Sequence, residues 1–297
     1  MISLFRDDCL SGNERKYYNW LTERFPQSDY LVYPNIALQA IFNSEIKEDL
    51  KSGWASHEVL DEQNFVDTSS ADLCVIDRKT YQPVFAIEID GITHQKARLD
   101  NINLTQEKRE ELRLRDALRE QRDDLKDRIF NLAGLPLRRI ATCDELSPRQ
   151  NRLPFRKSDG NHSDSDKEDK EQLTEAIRQL NDEYERNHRA RNSPKTKNLL
   201  FGIKDYYDLL NKMLPPDQYI VFPNMALQSI LGAEAKTQFE GRPEKQSVMT
   251  SLVDFCLASA SDVRPLIAFN INRDEIKEKV LQHFGLPLLY LPRLEPH

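Results

Sequence analysis

The sequence predicts an α/β protein made of two tandem copies of one domain, and three observations carry that reading. First, Tyr30-Leu-Val-Tyr-Pro-Asn-Ile-Ala-Leu-Gln-Ala-Ile-Phe42 returns as Tyr219-Ile-Val-Phe-Pro-Asn-Met-Ala-Leu-Gln-Ser-Ile-Leu231, identical at eight of thirteen positions. Self-similarity of this kind marks a duplication. Second, shorter matches keep the same order. Tyr17-Tyr18 pairs with Tyr206-Tyr207, Asp72-Leu-Cys-Val with Asp254-Phe-Cys-Leu, Pro83-Val-Phe-Ala-Ile with Pro265-Leu-Ile-Ala-Phe, and Gly134-Leu-Pro-Leu with Gly285-Leu-Pro-Leu. Third, each copy runs from a strand pair through a helix to a last apolar strand, which is an α/β order. A length of 297 residues also suits two domains.

In copy one a helix is expected around Glu14 to Arg24, followed by the Pro-Asn-containing extended stretch at Tyr30. Val84-Phe-Ala-Ile-Glu-Ile-Asp90, rich in β-branched residues and bounded by Pro83 and Gly91, reads as a strand. Leu118, Leu125, Ile129 and Leu132 recur at helical spacing until Gly134 stops the helix. Leu135-Pro-Leu-Arg-Arg-Ile140 then reads as the closing strand, and the paired tyrosines as core aromatics. Between the copies, Ser147 to Lys170 is polar and rich in Pro, Ser and charge, hence a linker, and 171–192 reads as a charged helix. The expected organisation is therefore copy one over 1–146, linker and helix over 147–192, and copy two over 193–297.

Composition narrows the function. With 42 Lys+Arg against 49 Asp+Glu and a net charge of −7, indiscriminate coating of nucleic acid is disfavoured, though a local basic patch is not. No apolar run reaches the ~18 residues of a membrane span. The acidic start, Met1-Ile-Ser-Leu-Phe-Arg-Asp-Asp8, does not read as a signal peptide, so a cytoplasmic setting is expected. Cys9, Cys74, Cys143 and Cys256 are spaced neither as zinc ligands nor as a redox pair.

The chemistry concentrates in Glu88-Ile-Asp-Gly-Ile-Thr-His94, with Asp72 heading the earlier strand. Side chains alternate along a strand, so Glu88 and Asp90 share one face. An ionised carboxylate in an apolar strand is rarely buried without a partner or a metal. If Asp72 joins them, the cluster is a hard oxygen-rich site for Mg²⁺ or Mn²⁺. Gly91 lets the chain turn and return His94 towards the carboxylates. A cation there would lower the pKa of a bound water, with His94 or a lysine managing protons or phosphate charge, which is phosphodiester hydrolysis.

The pattern Asp…Glu-x-Asp-Gly-x-x-His, followed by a charged helix and Ala133-Gly-Leu-Pro-Leu, resembles the PD-(D/E)XK, restriction-endonuclease-like superfamily. Within it, the pattern is similar to a bacterial family of unknown function (DUF 2726 type) related to very-short-patch-repair-type endonucleases. The resemblance covers most of residues 10–141 and implies two restriction-endonuclease-like domains, each a small mixed sheet flanked by helices. It implies Glu14, Asp72, Glu88 and Asp90 as acidic site members and His94 as a site histidine. Asp90 stands where the superfamily pattern has lysine. Lys126, in Gln121-Arg-Asp-Asp-Leu-Lys126, matches the helix that holds a displaced lysine in this branch, the alternative being an ordinary surface salt bridge. Arg138, Arg139, Arg149, Arg152, Arg156 and Lys157 form either a phosphate-contacting edge or a solvated linker margin.

In copy two, Glu14 falls opposite Ile203, Glu88 opposite Asn270 and Asp90 opposite Asn272, while Asp72 alone keeps its acid, as Asp254. An amide cannot replace a carboxylate in compensating a divalent ion. One competent and one degenerate centre are therefore expected per chain, with a monomer nicking one strand of DNA (or RNA) per encounter. The spare copy is open to nucleic-acid binding, to docking of a protein partner or second chain, or to packing on copy one. The competing expectation is a catalytically inactive scaffold in which both copies are nuclease remnants.

Overall fold

The structure, a computed structural model, describes residues 10, 12–25, 28–52, 62–90, 105–141, 152–153, 195–232, 235, 238–242 and 244–293. The chain forms two compact units. One comprises Met1–Asn43, Ser56–Pro83 and Thr196–His297; the other comprises Ser44–Ala55 and Val84–Lys195. The division cuts across the repeat, because the first half of copy one belongs to the same unit as copy two. Apart from Arg152–Leu153, the expected linker and charged helix lie outside the described residues.

In the first unit, helix α1 (Gly12–Arg24) carries Glu14 in its first turn and Arg24 in its last, the arrangement the helix dipole favours. Tyr17, Tyr18 and Leu21 are buried on its inner face, where α1 packs on strands β1 (Tyr30–Ala37) and β2 (Ser70–Asp77). These strands are antiparallel, from Tyr30 opposite Asp77 to Ala37 opposite Ser70. A short helix α2 (Leu38–Ile41) follows β1, and helix α4 (Glu62–Thr68) precedes β2. Copy two repeats this as helix α6 (Lys204–Met213), strand β6 (Tyr219–Ala226), helices α7 (Leu227–Leu231) and α8 (Glu244–Thr250), and strand β7 (Leu252–Ser259). Strand β8 (Pro265–Asn270), helix α9 (Glu275–His283) and strand β9 (Leu288–Tyr290) complete a mixed sheet in the order β6-β7-β8-β9, with β8 and β9 parallel.

The two copies meet in this unit through equivalent surfaces. β1 packs on β6 and α4 on α8. The rings of Tyr33 and Phe222, the same position in each copy, lie 5.2 Å apart, and the Tyr33 hydroxyl donates to the Pro223 carbonyl at 2.6 Å. Gln39 Nε2 donates to the Thr250 carbonyl at 2.6 Å, and its counterpart Gln228 Nε2 donates to the Thr68 carbonyl at 3.2 Å. Reciprocity of this kind is the mark of an isologous twofold interface, here built within one chain. Positive φ angles recur at equivalent positions, Asn35 (48°) with Asn224 (53°) and Tyr81 (54°) with Val263 (56°). A β-branched residue seldom adopts that conformation, so the turn after β7 keeps the backbone of its twin even where valine is unsuited to it.

The second unit contains helix α3 (Ser44–Ser52), strand β3 (Pro83–Asp90) from Val84 onward, helix α5 (Gln106–Ala133), and strands β4 (Leu137–Ala141) and β5 (Arg152–Leu153). β3 and β4 are parallel, which requires a crossover, and α5 supplies it. Thr105 caps α5, its side chain accepting from the Lys108 N–H at 3.3 Å. Gly134 closes the helix at φ 70°, with its own N–H on the Asn131 carbonyl and Leu135 N–H on that of Phe130. Leu118, expected on the core stripe, is instead 44% exposed, whereas Leu125, Ile129, Phe130 and Ala133 are buried. The cause is length. Twenty-eight helical residues reach roughly 42 Å at about 1.5 Å each, far beyond the five residues of β4, so only the last turns of α5 have a strand to cover.

Candidate active site in the first repeat

Val84 to Ile89 of β3 are all buried, and Glu88, the one charged residue among them, is 6% exposed. In the parallel register, Glu88 lies beside Arg139 of β4 and Ile87 beside Arg138. Laterally paired residues project to the same face, so Glu88 and Arg139 point together and Arg138 points away. Helix α5 brings Asp123, Lys126 and Asp127 to that face, at the i, i+3, i+4 spacing that aligns side chains on one side of a helix.

Lys126 Nζ donates to Glu88 Oε2 at 2.8 Å, with the two side chains 13% and 8% exposed. The other oxygen, Glu88 Oε1, is buried and has no hydrogen-bond partner among the described residues. Arg139, 1% exposed, directs its guanidinium at α5. Nε and Nη2 donate to Asp127 Oδ1 at 3.1 and 2.9 Å, Nη1 to Asp123 Oδ1 at 3.3 Å, and Nη2 also to the Asp123 carbonyl at 3.2 Å. Burial alone would push the guanidinium pKa down, but the charges of Asp127, Asp123 and Glu88 outweigh it and hold Arg139 firmly cationic. These five groups number three carboxylates against two cations.

Of the residues singled out by sequence, the structure brings Lys126 onto Glu88. Asp90 ends β3, its side chain outside the described residues, as are His94, Arg149, Arg156 and Lys157. Glu14 and Asp72 are half-buried on α1 and β2 of the other compact unit. Arg152 lies in β5 opposite Arg139, with its side chain likewise not described. Among the described residues no three of His, Cys, Asp and Glu gather as metal ligands. The expectation for Arg139 needs correcting: a residue fully covered and held by two aspartates is not an exposed phosphate contact, whereas its neighbour Arg138 is half-buried. Asp123 and Asp127 were not anticipated. Their signal was the pair of acids four apart flanking Lys126 on one helix face.

In copy two the retained acid is occupied. Asp254 Oδ2 accepts the Ile271 N–H at 2.7 Å, and the Asp254 N–H donates to Asn270 Oδ1 at 3.1 Å. Aligned through Gly134-Leu-Pro-Leu and Gly285-Leu-Pro-Leu, Asp123, Lys126, Asp127 and Arg139 correspond to Asp274, Lys277, Glu278 and Tyr290. The lysine is kept, while glutamate has become Asn270 and arginine Tyr290. Lys277 Nζ lies 3.4 Å from Asp274 Oδ2, and the Tyr290 hydroxyl donates to Glu278 Oε2 at 3.1 Å and to the Asp274 carbonyl at 3.4 Å.

Residues 6–153 match a family described as a protein of unknown function, DUF2726. The matched segment holds Glu88, Lys126 and Arg139 with all of β1 to β5, and copy two lies beyond it. No curated protein and no solved structure matches the chain. Among the described residues no helix is long and apolar enough to cross a membrane.

Proposed function

We propose that copy one is a divalent-metal-dependent endonuclease of restriction-endonuclease-like fold, hydrolysing DNA phosphodiester bonds in the cytoplasm and nicking one strand per encounter. The observation that carries this reading is the divided carboxylate of Glu88. One oxygen is held by Lys126, and the other is buried with no hydrogen-bond partner among the described residues. Buried acceptors are almost always satisfied, so an orphaned oxygen beside a paired cation suits a ligand. A hard oxygen donor of this kind fits Mg²⁺ or Mn²⁺. Glu88 would hold the ion, with Asp90 of the same strand as the further acid that the sequence pattern suggests. When bound, the ion would polarise the phosphodiester and lower the pKa of a water. Lys126, held on Glu88, would offer its charge to a phosphate oxygen, and His94 or Lys126 would move the proton.

Copy two supports a different role for itself. Its retained Asp254 is tied up by backbone and Asn270, and part of its surface packs in the twofold-like contact with copy one. This favours a supporting or partner-docking part for copy two, and, were copy one also inactive, the scaffold reading for the whole chain. Thermal melting with Mn²⁺ separates the two. Saturation at about 100 times Kd adds about 2.7 kcal/mol of stability, so wild type should melt higher with Mn²⁺ and Glu88→Gln should not. An unchanged wild-type melt would remove the metal site and favour the scaffold.

A further inference from the structure

We infer that Arg139 is a positioning residue that keeps Lys126 on Glu88 by occupying the two aspartates, Asp123 and Asp127, that flank that lysine on α5. Its importance for catalysis rests on the reading of Glu88 and Lys126 as the active site; the placement itself does not.

Lys126 has competing acceptors on its own helix. Asp123 lies three residues before it, the spacing at which helical ion pairs form, and Asp127 is its neighbour. Arg139 faces both, contributing two hydrogen bonds to Asp127 Oδ1, one to Asp123 Oδ1 and one to the Asp123 carbonyl. A guanidinium fork can hold two helix positions at once and bring a positive charge to both carboxylates, which a neutral side chain cannot. Asp123 and Asp127 are thereby compensated by a cation other than Lys126, which reaches across to β3 instead.

Copy two shows the same helix and strand with the arginine replaced. Tyr290 stands in the place of Arg139, in register with Asn270 as Arg139 is with Glu88. Its hydroxyl reaches the same two helix positions, Glu278 and the Asp274 carbonyl, so docking of helix on strand is preserved. Asp274, the cap of its helix with Oδ1 accepting from the Ile276 and Lys277 N–H groups, meets a neutral hydroxyl in place of the guanidinium, and Lys277 Nζ lies 3.4 Å from its Oδ2. The position thus docks the helix in both copies, while the guanidinium adds the separation of lysine from its helical neighbour. Copy two also lacks the glutamate, and an experiment in copy one that keeps Glu88 isolates the contribution of Arg139.

The full chain can be tested with Arg139→Tyr, Arg139→Lys and Asp123→Asn. Each protein is treated briefly with an acetylating N-hydroxysuccinimide ester, and modification at individual lysines is read by mass spectrometry. In wild type Lys126 should react slowly. In Arg139→Tyr it should react several-fold faster, approaching the rate at Lys277, while the exposed Lys108 and Lys204 keep their rates. Adding Asp123→Asn to Arg139→Tyr removes the competing acceptor and should return Lys126 towards its slow rate. A Lys126 rate unchanged in a folded Arg139→Tyr, or a rise that Asp123→Asn does not reverse, would overturn the inference. Should Arg139→Tyr fail to fold, Arg139→Lys carries the same two outcomes. In plasmid nicking with Mn²⁺, Arg139→Lys should lower kcat on the order of 10²-fold, as misplacement of a reacting group does, and leave KM for the plasmid unchanged. Wild type that neither nicks nor binds Mn²⁺ would refute the nuclease reading, while the lysine labelling would still decide the placement.

Discussion

Glu88 and Lys126 hold each other in surroundings that penalise either charge alone. Their side chains are 8% and 13% exposed, so this is a buried pair rather than the surface salt bridge that a charged helix suggests. Removing one partner leaves the other charge uncompensated, a loss of about 3–5 kcal/mol. Lys126→Met should therefore cost about that much in urea unfolding, and Glu88→Gln with Lys126→Met should cost clearly less than the sum of the two single changes. A loss below about 1 kcal/mol for Lys126→Met would put the pair among exposed ones. Glu88 was legible in the sequence, since an acid inside Val-Phe-Ala-Ile-Glu-Ile has no ordinary reason to be there. Arg139 was not. Of two adjacent arginines in a strand, alternation sends one inward, and the register against β3, set by the crossover, chooses which.

Elements were legible where their period was long. The 28 residues of α5 and the eight of β3 follow from helical spacing and from β-branched runs. The two-residue β5 and the short helices α2 and α7 left no period to read. The stop of α5 rests on a single backbone conformation. Gly134 at φ 70° ends the helix and turns the chain into β4, so the reach of Lys126 and Arg139 towards one another's elements depends on it. A side chain costs about 1–2 kcal/mol in the left-handed region, and Gly134→Ala should lower stability by that amount in urea unfolding. A neutral result would mean that the helix end relaxes without strain.

At the scale of the molecule, duplication was plain in the sequence, but the way the copies pack was not. Reciprocal bonds between them end on main-chain carbonyls, among them those of Pro223, Thr250, Thr68 and Asn35, which leave no mark on residue type. Because β1 and β6 share one unit, a change in copy two should be felt in copy one. Phe222→Ala removes a fully buried ring against Tyr33 and should cost about 3–5 kcal/mol. Hydrogen exchange should then quicken in β1 and β2 as well as in β6. Acceleration confined to copy two would mean that the copies open independently.

The proposed nuclease of copy one, centred on Glu88, is tested most directly by incubating purified protein with supercoiled plasmid and Mn²⁺, comparing wild type with Glu88→Ala and Asp254→Ala. Open-circular product is expected from wild type and from Asp254→Ala, and none from Glu88→Ala. Equal products from all three proteins, or no product from wild type, would contradict the proposal.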